Sequence, residues 1–334
     1  MNLTCEQTGS AALPFEPCDA IDHPSGYLAL SPRNQRFTMG GVPGFIAYRE
    51  KGMHFIAFGG VHAPGDERAA LLDGFLAFAR RRMRRVLVVQ VRVEQTELFH
   101  RRGFSVNRLG ASYGLRLAGF SYGGTRRMKV RQKIRQARTA GLRVFEVGCD
   151  EWPADETTFA RLREVSALWL AAKGKKELDF MVGELGRPDE PERRIFVVVD
   201  SGGALQGFIA YVPVWGSRPG YLHDLTRRRP DAPVGSMELC NAHALERFAA
   251  EGVEHLHFGF TPFVVEAEER PGANRFLAAM LRWLWRYGSC IYPAKSQAAY
   301  KLKWAPDFVE PEYVAARPFS LRAVLDLLLL TRSL

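Results

Sequence analysis

What most constrains this chain is that strand-length apolar runs alternate with helix-spaced segments in both of its halves. Neither half can therefore fold as an all-α or an all-β unit. Strands are expected at residues 44–49, 54–58, 86–91 and 113–117, with a helix over 67–82 whose Leu71, Leu72, Phe75 and Phe78 recur at helical spacing. The second half repeats the mixture. Helices are expected over 155–172, 236–250 and 274–285, and strands at 195–199, 205–212, 221–225 and 254–260, with a last one around Ile291. The expected class is α/β or α+β, laid out as an irregular lead-in (1–40), a first domain (41–150) and a second (151–334). The polar stretch 183–193 reads as a surface loop. At 334 residues the chain is long enough for two cores.

Between the last strand and the end of the first domain lies RRMKVRQKIRQARTAGLR, residues 126–143, with eight cations and no acid. It ends at a glycine, as helices do. On a helical wheel Arg127, Arg131, Arg135 and Arg138 form one stripe, and Lys129 and Lys133 lie towards the other flank. A narrow apolar seam of Val130, Ile134 and Ala137 runs between them. Such a helix docks through its seam and offers cations to a polyanion by sequence-independent, salt-sensitive contacts. A merely solvated face is the alternative. The formal net charge of +10 favours anionic partners: nucleic acid, acidic lipid headgroups or phosphorylated metabolites.

Two further segments can carry chemistry. YLHDLTRRRPDAPVGSMEL, residues 221–239, brings His223 and Asp224 to a strand end and then opens a helix at Gly235 and Ser236. Free main-chain N–H groups at that helix start suit a phosphate or an oxyanion. Asp224 and Arg227 can orient an amine and neutralise an anion; a plain strand-end ion pair is the other reading. Near the C-terminus Lys295, Lys301 and Lys303 interleave with Tyr292, Tyr300 and Trp304, as in a nucleotide or headgroup site or a half-exposed sheet edge. The leucine-rich 321–330 reads as a docked terminal helix or an interfacial anchor. No metal-ligand spacing, Walker A, Rossmann or G-x-S-x-G pattern occurs. Five scattered cysteines form no C-x-x-C pair, and with no leader or membrane-spanning run visible, a cytoplasmic location is expected.

The motifs GFSVNRLGASYGLRLAGFS, the basic stretch, WLAAKGKKELDF, DLTRRRPDAPVGSMEL, HFGFTPF and YPAKSQAAYKLKWAPDFVEPEYV follow one another in order from about Phe58 onward. Together they resemble the catalytic domain of the lysyl- and alanyl-phosphatidylglycerol synthases, the multiple peptide resistance factors. The resemblance implies two tandem GNAT-like folds related to the Fem aminoacyl transferases, with aminoacyl-tRNA as donor and no cofactor. By it, Asp224 and Arg227 match a D-x-x-R motif, Lys173 and Glu177 a W-L-x-x-K-x-x-x-E segment, and Tyr300 and Lys301 a Y-K pair. The basic helix would hold the tRNA acceptor arm, with an acidic membrane surface second and DNA not expected. His223 is the alternative base to Asp224. The family's membrane-embedded flippase half is not in this sequence. Ala111 and Ser112 stand where many members read L-G-E-E-A, and Ser289 where many carry a glutamate. Fewer acids favour a neutral donor amino acid over lysine. The acceptor is phosphatidylglycerol by resemblance, with peripheral contact at the inner face of the membrane through the C-terminal helix; a soluble small-molecule acceptor is the alternative. An acyl-CoA-dependent reaction is a further alternative, against which the missing pyrophosphate loop counts.

Overall fold

The structure is a computed structural model that describes residues 20–173, 180, 183–188, 190–265, 272–290 and 292–332. In chain order its elements are α1 (Gly26–Ala29), β1 (Gln35–Met39), β2 (Val42–Lys51), β3 (His54–His62), α2 (Arg68–Arg81), β4 (Arg85–Arg92) and α3 (Thr96–His100). Next come β5 (Ser105–Arg116), α4 (Met128–Thr139), β6 (Arg143–Glu146), α5 (Glu156–Lys173), β7 (Arg194–Val199), β8 (Leu205–Val214) and β9 (Gly220–Arg228). The chain ends with α6 (Ser236–Ala250), β10 (His255–Pro262), α7 (Arg275–Tyr287), α8 (Ala294–Leu302), β11 (Phe308–Arg317) and α9 (Leu321–Leu330).

The eleven strands of the described residues form one sheet in the order β1-β2-β3-β4-β11-β5-β10-β9-β8-β7-β6. The order contains the same unit twice. β1, β2 and β3 form an antiparallel meander, and α2 carries the chain to β4, parallel to β3. β7, β8 and β9 repeat the meander, and α6 carries the chain to β10, parallel to β9. This is the tandem GNAT-like α/β arrangement that the resemblance implies. In each unit the parallel pairing stops early. It reaches only Phe58–Val89 in the first and Leu222–His257 in the second, although all four strands continue, so each unit has a notch.

The expected domain boundary near residue 150 needs correction. β6 pairs with β7, and Val130, Ile134 and Ala137 of α4 are buried in the same core as Phe196, Leu239 and Phe248. The basic helix therefore belongs to the second unit. β11 returns from the C-terminal end to lie between β4 and β5, which fuses the two units into one sheet. The lead-in also contains structure, since α1 and β1 fall before residue 40.

Alternation along the strands assigns the helices to two faces. Phe196 and Val198 point to the core under α4 and α6, whereas Ile195 and Val197 point to the core under α5. In the first unit Ala57 and Val88 point to α2, and Ile56 and Leu87 to α7 and α9. A bulge at Leu109, skipped in the β5–β11 register, brings Val106, Ala111 and Tyr113 onto a single face. So α2, α4, α6 and α8 cover one face, and α1, α5, α7 and α9 the other. Among the described residues no helix is long and apolar enough to cross a membrane.

Candidate functional site

In a regular strand, residues three apart point to opposite faces, so Asp224 and Arg227 should not meet. A bulge removes the conflict. The β8–β9 register pairs Ala210 with Leu225 and Tyr211 with His223, leaving Asp224 as the extra residue. Past it the alternation is reversed, and Leu225 joins the core under α5. Arg227 follows to the same side, where its guanidinium stacks 4.3 Å from the Trp169 ring of α5. Lys173 reaches the same ring at 5.7 Å. The bulge and the indole thus assemble Asp224, Arg227 and Lys173 on one face.

Asp224 is enclosed. Its side chain is 3% exposed and accepts a 3.0 Å hydrogen bond from Nη1 of Arg193, itself 7% exposed. The backbone at Gly183 lies directly on the carboxylate: a Cβ there would come within 1.8 Å of Oδ2. Burial raises the Asp224 pKa to about 6, against the lowering pull of the Arg193 and Arg227 charges. A carboxylate held there accepts a proton readily near neutral pH. The segment 183–193 is therefore not simply a surface loop; it brings Arg193 inward onto the site.

His223 is on the opposite face, bonded to Thr226 Oγ1 at 2.5 Å and edge-on to Tyr300 at 6.1 Å. Burial, with the nearby Lys301 charge, lowers its pKa to about 3, so it is neutral and a feeble base. Tyr300 and Lys301 lie on α8, a helix and not the sheet edge that the interleaved pattern also allowed. Lys303 Nζ stands 4.0 Å over the Tyr300 ring and pairs with Glu238. Lys301 is buried and donates to the carbonyls of Gly259 (2.9 Å) and Phe260 (2.8 Å), just beyond the point where β10 leaves β9. Burial lowers its pKa to about 7. Gly235 and Ser236 open α6 as expected, but that start is not free. Gly235 has φ +91°, and a Cβ on it would meet the carbonyl of Lys133 at 2.0 Å, so this glycine serves the close approach of α4. Ser236 is buried and bonded to the Pro233 carbonyl.

The basic helix divides by function. Arg127 donates to the carbonyls of Trp304, Ser121 and Ala305 and stacks 4.4 Å from Phe120, so its charge is committed to the fold. Arg131 reaches back to the carbonyls of Tyr122 and Gly124. Lys129, Arg135 and Arg138 are exposed, and Lys133 is half-buried. Glu177 lies outside the described residues, as does Ile291. The sequence reading missed two residues. One is Arg193. The other is Glu312 of β11, buried on the Asp224 face, which accepts a hydrogen bond from Ser112 and has His23 Nε2 at 3.7 Å. A carboxylate thus stands against Ser112. Among the described residues no cluster of His, Cys, Asp or Glu is arranged to hold a metal.

The family described as "Phosphatidylglycerol lysyltransferase, C-terminal" matches residues 18–316, and the chain belongs to it. The lysylphosphatidylglycerol biosynthesis bifunctional protein LysX of Mycobacterium leprae is 28% identical over 221 residues, 65% of this chain and 19% of the relative. LysX of Nocardia farcinica is 27% identical over 242 residues, 71% and 21% respectively. The chain thus spans about a fifth of the length of these curated relatives. Solved structures share its fold, two of them over most of the chain. One is the C-terminal domain of a protein described as a lysylphosphatidylglycerol synthetase from Agrobacterium fabrum (TM-score 0.77, 22% identity, 95% of this chain and 96% of that one). The other is L-PGS from Bacillus licheniformis (TM-score 0.77, 20% identity, 92% and 91%).

Proposed function

We propose that this chain transfers an aminoacyl group from charged tRNA to a hydroxyl of phosphatidylglycerol. The observation that carries the reading is the bulge-built group of Asp224, Arg227, Trp169 and Lys173, in a chain of this family. In the proposed step the acceptor oxygen attacks the ester carbonyl carbon while its proton passes to the Asp224 carboxylate. The tetrahedral oxyanion collapses, and the ester bond to the tRNA ribose breaks. The proton on Asp224 then goes to the departing ribose oxygen. Arg227 and Lys173 supply the positive charge for the lipid phosphate or the oxyanion. The donor ester is already activated, so the transfer itself calls for no nucleotide. Lys129, Arg135 and Arg138 are the cations of the basic helix left to meet the tRNA backbone. A lipid acceptor also places the chain at a membrane surface, with α9 as one point of contact.

The test is direct. The purified protein is incubated with a panel of labelled aminoacyl-tRNAs and phosphatidylglycerol vesicles, and label is followed into the organic phase. Transfer by the native chain, and its loss by about a hundredfold or more in Asp224→Asn, is the expected result. Label appearing in a soluble conjugate would move the acceptor to a small molecule. Unchanged transfer in Asp224→Asn would remove the aspartate from the step.

A further inference from the structure

We propose that the outer surfaces of α7 and α9 form one continuous face that lies on an anionic lipid bilayer. Phe276, Trp283 and Tyr287 are 59%, 55% and 59% exposed, and among the described residues these are all of the exposed large aromatics. Leu321, Leu325 and Leu329 of α9 follow at intervals of four, 61%, 41% and 42% exposed. Both helices pack on the same core, Leu277 and Leu281 from α7 and Ala323 from α9, and Phe276 meets Phe319 at 6.3 Å just ahead of α9. The two exposed stripes are thus neighbours on one side of the sheet. An apolar patch of this kind on a water-soluble surface marks an interaction site.

Charge selects the occupant. α7 carries Arg275, Arg282 and Arg286 on its exposed side and no acidic residue. The one acid of α9, Asp326, is buried against His54 at 2.7 Å and accepts a 3.1 Å hydrogen bond from Nε of the exposed Arg322, so the surplus positive charge of the face comes from α7. Tryptophan and tyrosine mixed with arginine around a leucine stripe suits the headgroup boundary, where ring edges and guanidinium groups stay wet and apolar bodies sink. α7 has 13 residues and α9 has 10, too short to span a bilayer, so the face lies on the surface. It is on the Asp224 side of the sheet, with the basic helix on the other, so a docked chain keeps α4 turned towards solvent.

The inference rests on the reading of the acceptor as a bilayer lipid, and the experiment separates the two. Sedimentation with sucrose-loaded vesicles compares the native chain with Trp283→Ser/Leu325→Ser and with Arg282→Gln/Arg286→Gln. Transfer to a short-chain, monomeric phosphatidylglycerol is measured alongside. The native chain is expected to bind vesicles containing phosphatidylglycerol more tightly than pure phosphatidylcholine. The apolar double variant should bind about tenfold or more weakly, and the arginine variant should lose the preference for anionic vesicles. Transfer to the soluble acceptor should stay at the native level in both, with unchanged melting temperatures. The proposal is overturned if the apolar variant binds vesicles as the native chain does. It is also overturned if the face holds two copies of this chain together, with a dimer that Trp283→Ser splits and no vesicle binding. Failure of transfer by the native chain with every acceptor would sink the functional reading and leave the vesicle result standing by itself.

Discussion

Asp224 is held near neutrality by two opposed effects, and Arg193→Met removes one of them. Burial raises the carboxyl to about 6, and the Arg193 guanidinium at 3.0 Å is the largest influence restraining that rise. An opposite charge at such a distance lowers a carboxyl pKa by about one to three pH units, so its loss should carry Asp224 into the range of about 7–9. The consequence for stability has a definite sign. The folded-state pKa lies above the unfolded one, so between about 4 and 6 the folded chain holds a proton that the unfolded chain has released. Native stability therefore falls as pH rises through that window, by about 1.4 kcal/mol per pH unit or about 3 kcal/mol across it. In Arg193→Met the fall continues to higher pH. The variant should be weaker than the native chain by an additional ~1–3 kcal/mol at pH 8 compared with pH 4.5, as read by urea unfolding. In transfer assays the acidic limb of the pH–rate profile should move up from about 6 by the same interval. A stability gap that is the same at both pH values would refute the electrostatic argument. An unmoved limb beside a pH-dependent gap would refute Asp224 as the base.

Two further outcomes follow from the placement of the cations. Arg135→Glu should weaken tRNA binding and lower the salt slope by about one or more, measured by filter binding at several salt concentrations. Arg127→Ala should instead lower stability by about 2 kcal/mol or more, because three main-chain carbonyls lose a charged donor; calorimetry distinguishes the two. Lys301→Met bears on the opposite sign of linkage. The folded-state pKa of Lys301 is lowered to about 7, so between about 7 and 10.5 the unfolded chain holds the extra proton and native stability rises with pH. Urea unfolding at pH 7 and 9.5 should show that rise in the native chain and its loss in the variant. Parallel curves would rule out a buried, near-neutral amine.

Much of the fold was legible because its signals are local. Leu71, Leu72, Phe75 and Phe78 repeat at helical spacing and are buried as that spacing requires, and the 236–250 helix begins and ends where its pattern does. The apolar seam of the basic helix was equally plain: Val130, Ile134 and Ala137 are 0%, 6% and 0% exposed. What escaped depends on contacts distant in sequence. β11 reads as a charged, proline-interrupted stretch, with Glu310, Pro311 and Glu312, and becomes a strand only between β4 and β5. That insertion joins the two units in one sheet, a connection between residues far apart in sequence that no local signal carries. Asp224 and Arg227 were legible as a pair of types but not as a geometry. Nothing in D-x-x-R announces the bulge that turns the arginine to the aspartate's face. Arg193 lay in a polar stretch whose composition signals exposure, and only the folded chain turns it inward.

The separation of the two faces limits how the proposed reaction can run. Asp224 and Arg227 open towards α5, while the exposed cations of α4 lie across the sheet. A tRNA held on α4 reaches Asp224 only if its aminoacyl end crosses the sheet, and the notch past Leu222 and His257 is where β9 and β10 cease to be bonded. Otherwise the proton must be taken on the α4 side, where His223, at about 3, is a poor candidate and Lys301, at about 7, is a better one. A neutral Lys301 amine can donate its two hydrogens to the Gly259 and Phe260 carbonyls and keep its lone pair free. The two routes separate by variant. Passage through the notch makes Asp224→Asn the damaging change and leaves Lys301→Met with a modest loss; reaction on the α4 side reverses that order.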